Sequence, residues 1–298
     1  MKNRKHIFIV NRISGKGKGF NLVPVIKEVC EELKIEYEIR ITEYAGHAKD
    51  IASEYKASDN VILYAVGGDG TLLEVVNGMD NKIELGAIPG GSGEDFLRYF
   101  HLDYKNPKQF IIDTINANPI SIDIGKTDRM LYLNTTSFGI DATINENASV
   151  MIRKTIITKG VAYILSILKN VIFIRPTHAK VRVDGKLLED DYLVVCCMNG
   201  KYYGNGVCAA PNSDIQDGVF DLVRVKNIKG LKVYKLLINY LTGNGEKEKE
   251  IIVDHPKHVV IDTEQVINIQ SDGENYKSTH LEIEILEKYL KLKIPTRN

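Results

Sequence analysis

Up to about residue 120, short β-branched runs alternate with segments whose apolar residues recur at helical spacing. Strand-like stretches at His6 to Asn11, Glu36 to Thr42 and Asn60 to Val66 bracket helical stretches at Leu22 to Lys34 and His47 to Tyr55. In the first helix Val23, Ile26, Val29, Cys30 and Leu33 recur at steps of three and four, the stripe of a helix lying on a sheet. This rhythm predicts βαβ units on a parallel sheet, with the helices covering it on one face.

Beyond residue 120 the pattern shortens into strands with turn signals: Ser121 to Gly125, Met130 to Thr135, Ala179 to Val183, Tyr192 to Met198, Val219 to Val225 and His258 to Asp262. Asp184-Gly185 predicts a hairpin. Helices are expected at Val150 to Asn170 and at Gly230 to Leu241, the second ended by Gly243. The mixed-sign run Glu246 to Glu250 reads as a solvated loop.

Composition narrows the class. The chain has 298 residues, 44% apolar and 26% charged, which suits two globular domains and neither a disordered nor a fibrous chain. Lys plus Arg and Asp plus Glu balance at 39 each, so no overall field draws in nucleic acid. The first ten residues run straight into a strand without the apolar region of a signal peptide, and a cytoplasmic protein is expected. Cys30, Cys196, Cys197 and Cys208 lack paired zinc spacing and read as reduced thiols. The most apolar window, Gly160 to Ile174, is broken by Lys169 and Asn170 and is too short to span a bilayer. His255 and His258 read as loop residues rather than metal ligands, since no third ligand is near in sequence.

The strongest chemical signal is an apolar strand, Val61 to Val66, running into Gly67-Gly68-Asp69-Gly70-Thr71 and a helix. Glycines let a backbone approach phosphate closely, and the following helix offers free N–H groups and a positive dipole end. A carboxylate at Asp69 would repel phosphates unless a cation lay between, which points to Mg2+. Asn11 to Gly19 and Ile88 to Phe96 repeat the strand-then-glycine arrangement, so three such loops could line one sheet edge. Neither a Walker A spacing nor a GxGxxG opening a helix is present.

Gly67 to Thr71 resembles the GGDGT signature of diacylglycerol, sphingosine and related lipid kinases. Other segments resemble that family in order: Asn11 to Gly17, Thr42 with Gly46-His47-Ala48, Gly93 to Arg98, Asp123, Asn134 to Ala142, Ala210 to Asp221, and Asp272-Gly273-Glu274. The resemblance implies an α/β N-terminal domain with a parallel sheet, like phosphofructokinase and NAD kinase, over residues 1–122, with 285–298 returning to it. Residues 123–284 would form a C-terminal β-sandwich that takes the substrate.

By the same resemblance, ATP is contacted by Asn11, Ser14, Gly15, Thr42, Gly68, Asp69, Gly70, Thr71, Glu74 and Ser92. Asp69 and Asp95 would organise catalytic Mg2+, Glu274 would accept the proton, and Asp123 would support Glu274. A structural Mg2+ would use Asp217 with backbone oxygens around Asp214 and Val219. The implied activity is Mg-ATP-dependent phosphorylation of a lipid hydroxyl, first diacylglycerol to phosphatidic acid, with a long-chain base, phosphatidylglycerol and a polyprenol also open, at the inner membrane face, by a peripheral protein for which a homodimer would be unsurprising. A stripe of Val161, Ile164, Leu165, Leu168 and Ile172 beside Arg153, Lys154, Lys159 and Lys169 reads first as a core helix and second as a membrane contact.

Three positions depart from the family pattern: Arg12 stands for Pro, Ser92 for Thr, and Glu94 for Asn. An NAD-kinase-like enzyme and a non-catalytic nucleotide-binding protein are the competing readings. The first lacks its usual Asn-Glu pair, Asn145-Glu146 lying inside the lipid-kinase-like pattern, and intact Asp69, Asp123 and Glu274 argue against the second.

Overall fold

The computed structural model describes residues 4–139, 176–228, 232–241, 243–245 and 248–295. The helix expected at Val150 to Asn170, its apolar stripe and Asn145-Glu146 lie outside them. Contacts divide the chain into two units, Met1–Asp123 with Glu287–Asn298, and Ile124–Leu286.

Unit 1 starts with β1 (Lys5–Val10), α1 (Lys18–Asn21), α2 (Val23–Glu32), β2 (Tyr37–Ile41) and α3 (His47–Ser53). It continues with β3 (Val61–Gly67), α4 (Asp69–Val76), β4 (Glu84–Pro89), α5 (Asp95–Arg98), α6 (Pro107–Asn116) and the start of β5 (Pro119–Thr127). A late strand, β15 (Glu274–Lys293), brings its C-terminal end back to this unit. The order β2-β1-β3-β4-β15 is parallel throughout. Strand order reverses between β1 and β3, the position at which open α/β sheets leave a crevice beyond their C-terminal ends.

Both faces of this sheet are covered, a correction to the one-face expectation. Phe8, Val10, Ile62, Tyr64, Val66 and Ile88 pack against Ile26, Val29 and Cys30 of α2 and Ile111 and Ile115 of α6. The alternate residues Ile7, Ile9, Leu63 and Leu85 are equally buried on the other face, where α3 and α4 lie. A strand buried on both sides carries a continuous apolar run, as Val61 to Val66 does. Helix α6 begins at a cap the sequence does signal: the Asn106 side chain accepts from Gln109 N–H at 3.2 Å, and Pro107 occupies the first turn.

At the opposite end of the sheet from the glycine loops, His6 is 7% exposed and stacks on Tyr64. Its Nδ1 lies at hydrogen-bond distance, 2.9 Å, from the Tyr64 hydroxyl. Burial, reinforced by the nearby Arg4 and Lys293 charges, lowers the His6 pKa to about 4. Between 6.5 and about 4 the unfolded chain therefore binds a proton that the folded chain refuses, so stability is complete above pH 6.5 and falls as pH drops toward 4. We expect His6→Phe to flatten this part of the stability profile by on the order of 2 kcal/mol, read from urea midpoints between pH 4 and 7.

Unit 2 holds the end of β5, β6 (Leu131–Tyr132), β7 (Thr135–Gly139), β8 (Thr177–Val183), β9 (Lys186–Met198), β10 (Tyr202–Tyr203) and β11 (Val207–Cys208). It ends with β12 (Asp221–Lys226), α7 (Lys232–Leu241), β13 (Ile251–Asp254), β14 (His258–Ser271) and the first part of β15. Strands β13-β12-β9-β7-β14-β15 are antiparallel neighbours, and β8 also joins β9 to β14. The long strands serve twice: β9 pairs with β8 through Lys186–Tyr192 and with β7 through Val194–Met198.

One face of this sheet buries Phe138, Val181, Tyr192, Val195, Phe220 and Ile261, and the other packs Val194, Cys196, Met198 and Val223 against Leu236 and Tyr240 of α7. The β8–β9 hairpin turns at Asp184 and Gly185, whose φ values of 46° and 84° match the type I′ turn expected there. His258 opens β14, as the strand expected from His258 to Asp262 has it and against its reading as a loop residue, and its ring lies 2.8 Å from Glu282. No described helix is long and apolar enough to cross a membrane.

Candidate active site

The three glycine-rich loops follow β1, β3 and β4 and meet at the C-terminal end of the unit 1 sheet. Several of their glycines are dictated by loop-on-loop packing. A Cβ on Gly91 would lie 2.3 Å from the Gly68 Cα, and one on Gly15 would lie 2.7 Å from the Gly90 carbonyl oxygen. This corrects the ligand-approach explanation for those positions. Gly70, in the first turn of α4, is different, because a Cβ there would meet nothing within 4 Å. The Gly70 Cβ position therefore faces open space.

Side chains tie the loops together. Asn11 Oδ1 accepts from Ile13 N–H and Ser14 N–H, both at 3.1 Å, and its Nδ2 donates to Thr71 Oγ1 at 2.9 Å. Ser14 Oγ in turn accepts from Gly68 N–H at 3.1 Å. Thr42 is buried and its N–H bonds the Val10 carbonyl, while Ser92 is exposed.

Helix α4 supplies two carboxylates, and each caps a neighbouring helix. Asp69 accepts from Asp95 N–H at 2.8 Å and Phe96 N–H at 3.2 Å, at the start of α5. Glu74, five residues on, accepts from Gly46 N–H at 3.0 Å and Ala48 N–H at 3.1 Å, at the start of α3. Negative charge at a helix N-terminus satisfies orphan donors and complements the dipole. Asp69 thus organises the third loop directly, and Glu74 holds the Thr42 to Ala48 segment. Glu74→Ala should lower stability by about 2 kcal/mol, measured by urea unfolding, because two N–H groups lose a charged acceptor.

Asp95 is 5% exposed and lies 3.6 Å from Arg98 Nε. Glu94 lines a small cavity beside β3 and β4 with Gly67, Gly68, Asp69, Leu72 and Leu97. Its carboxylate hydrogen-bonds the Tyr104 hydroxyl, and that bond, with burial, pushes the Tyr104 pKa up to about 12. The partnership of Glu94 and Tyr104 is invisible in the sequence, because nothing in a ten-residue separation marks it. Asp123 is 1% exposed and accepts from Lys288 N–H at 2.6 Å.

In unit 2, Glu274 opens β15 directly after a turn at Asp272 and Gly273, and it is exposed. Asp214 Oδ1 accepts from Gln216 N–H and Asp217 Oδ1 from Val219 N–H, so each carboxylate closes its own turn. Among the described residues no group of three or more His, Cys, Asp or Glu side chains gathers as a metal site.

Comparison with known proteins agrees with the fold. Residues 5–127 match the diacylglycerol kinase catalytic domain, and residues 134–294 match the YegS C-terminal NAD kinase beta sandwich-like domain. A diacylglycerol kinase of Bacillus subtilis (strain 168) is 26% identical over 89% of this chain and 88% of its own. The crystal structure of a diacylglycerol kinase from Bacillus anthracis str. Sterne shares the fold at a TM-score of 0.73 and 24% identity, over 99% of this chain and 98% of that one. Yeast NADH kinase shares it more distantly, at a TM-score of 0.53 and 12% identity over 100% of this chain and 85% of that one. With both domains matched in order and the glycine loops assembled around Asp69, the chain belongs to the bacterial lipid kinase family built from a diacylglycerol kinase catalytic domain and a YegS-type β-sandwich.

Proposed function

We propose that the protein transfers the γ-phosphoryl group of Mg-ATP to the hydroxyl of diacylglycerol, giving phosphatidic acid and ADP. The observation that carries this reading is the Asp69 carboxylate at the junction of three glycine loops, beside the open first turn of α4. A phosphate seated over that turn meets the positive end of the α4 dipole, while the Gly68, Asp69 and Thr71 N–H groups are already bonded within the loops. Mg2+ bound with the nucleotide supplies charge neutralisation between the phosphates and the carboxylate. Asp69 fits that role because one protein carboxylate suffices when the phosphates bring most of the ligands. In the Asp214 to Val219 loop each carboxylate accepts one N–H through Oδ1, and no step is assigned to it.

Glu274 is proposed to take the proton of the acceptor hydroxyl as its oxygen bonds to phosphorus and the bond to the β-phosphate oxygen breaks. Asn11, Ser14 and Thr71 hold the loops that cradle the phosphates, and Thr42, fixed by the Val10 carbonyl, borders the nucleotide. Diacylglycerol is the acceptor favoured by the Bacillus subtilis relative's name. The protein works at a membrane surface from the cytoplasmic side, because its substrate resides in the bilayer.

The test is phosphoryl transfer from labelled ATP with Mg2+ to detergent-dispersed diacylglycerol, a long-chain base, phosphatidylglycerol and a polyprenol, with NAD as a separate acceptor. Label in diacylglycerol supports the proposal. Label in another lipid would correct the substrate, and label in NAD alone would replace the reading with a nucleotide kinase.

A further inference from the structure

The turn that presents Glu274 is clamped by a carboxylate to which the reaction above gives no task. Asp272 Oδ2 accepts from Leu133 N–H at 2.5 Å, Oδ1 accepts from Thr135 N–H at 2.9 Å, and Asn134 N–H lies 3.1 and 3.2 Å from the two oxygens. The Asp272 N–H closes the ring by donating to the Thr135 carbonyl at 2.9 Å. Three successive backbone N–H groups thus converge on one side chain, an arrangement that binds an anion from several directions.

The donor segment is itself fixed from behind. The Asn134 carbonyl accepts from Asn199 N–H at 2.8 Å and Gly200 N–H at 3.0 Å, and Asn199 Nδ2 donates to the Leu133 carbonyl at 2.8 Å. On the other flank, Gln270 is 3% exposed; its Oε1 accepts from Gly273 N–H at 3.1 Å and its Nε2 donates to Ser137 Oγ at 2.8 Å. A hairpin turn needs none of this to close, because positive φ at Asp272 (45°) and Gly273 (93°) already satisfies a two-residue turn. What the extra bonds add is rigidity at the base of Glu274.

We propose that Asp272 is a positioning residue, holding the Glu274 carboxylate in register for proton transfer through its clamp on the Leu133 to Thr135 amides. This rests on the reading of Glu274 as the proton acceptor. A small displacement of a reacting group costs rate far more than it costs binding or folding, since transfer demands hydrogen-bond contact in a fixed direction.

Asp272→Asn isolates the effect. Asparagine accepts the left-handed conformation readily, so the turn is kept, but an NH2 group replaces one acceptor among three N–H donors. We expect kcat to fall about 10- to 100-fold with the KM for ATP within about twofold. Because Asp272 acts through Glu274, Asp272→Asn in a Glu274→Gln background should lower the residual rate no further. Gly273→Ala provides a second perturbation: a Cβ there meets nothing within 4 Å, yet φ of 93° strains it, and kcat should fall about 10-fold.

Steady-state kinetics with ATP and diacylglycerol micelles, with circular dichroism melts of each variant, decide the matter. Full activity in both Asp272→Asn and Gly273→Ala overturns the proposal, as does an Asp272→Asn loss of equal size with and without Glu274. Full activity of Glu274→Gln alone would instead overturn the reading on which the proposal rests. If Asp272→Asn does not fold, the outcome is read from Gly273→Ala and its combination with Glu274→Gln.

Discussion

Asp69→Asn is expected to lower kcat/KM for ATP about 10³-fold, the range found when a single preorganised electrostatic group is removed from a phosphoryl- or acyl-transfer site. Two duties meet on this side chain. It caps α5 by accepting the Asp95 and Phe96 N–H groups, and its charge stands beside the open turn at Gly70. Asparagine keeps one acceptor for the cap while discarding the charge, so the melting temperature should drop by only a few degrees. Asp69→Ala discards both, and the third glycine loop should loosen as well, costing a further 1–3 kcal/mol or so from two unsatisfied donors. Labelled-ATP kinetics and thermal melts on the two variants separate the duties. Near-normal turnover in Asp69→Asn would mean that the carboxylate is only a cap and that phosphate charge is met elsewhere.

Glu274→Gln is expected to reduce kcat by 10²- to 10⁴-fold, about what a positioned general base contributes, with little change in the KM for ATP. The side chain is exposed at the start of β15, so stability should move by no more than about 0.5 kcal/mol. Rapid-quench measurement of a single turnover distinguishes a lost proton acceptor, which slows the chemical step, from an altered product release, which leaves that step intact. An unchanged single-turnover rate would remove Glu274 from the reaction.

The parts legible in the sequence were those written in local residue patterns. The spacing of Val23, Ile26, Val29, Cys30 and Leu33 specifies α2, and the apolar Val61 to Val66 run specifies a strand, although its burial on both faces ran against the one-face expectation. Gly67 to Thr71 marks a tight strand-to-helix loop, because glycines between an apolar strand and a helix allow close backbone packing. What could not be read is what depends on pairing across long separations. The capping of α5 by Asp69 spans 26 residues, the Glu74 bond to Gly46 spans 28, and the Asp272 clamp on Leu133 spans 139. In sequence, Asp272-Gly273 is indistinguishable from an ordinary hairpin turn such as Asp184-Gly185. Glycines 15, 68 and 91 show a close approach between one another's loops, which no local pattern in the sequence announces. The double service of β9 was hidden because four of the six residues from Lys186 to Asp191 are charged, so that only Tyr192 to Met198 reads as a strand.

The path of the chain carries a consequence for biosynthesis. Unit 2 is an insertion within unit 1: the chain leaves through β5 and returns through β15, and Asp123 holds Lys288 where the two crossings meet. On the ribosome, β1 to β4 emerge first, yet β4 remains a bare edge until Lys291–Lys293 arrive more than two hundred residues later, bringing Lys293 beside Glu84. The unit that begins folding first is therefore the last to finish. Throughout synthesis of the inserted unit, the nascent protein presents an unpaired strand that chaperones, or another nascent copy, can bind before the chain's own end does.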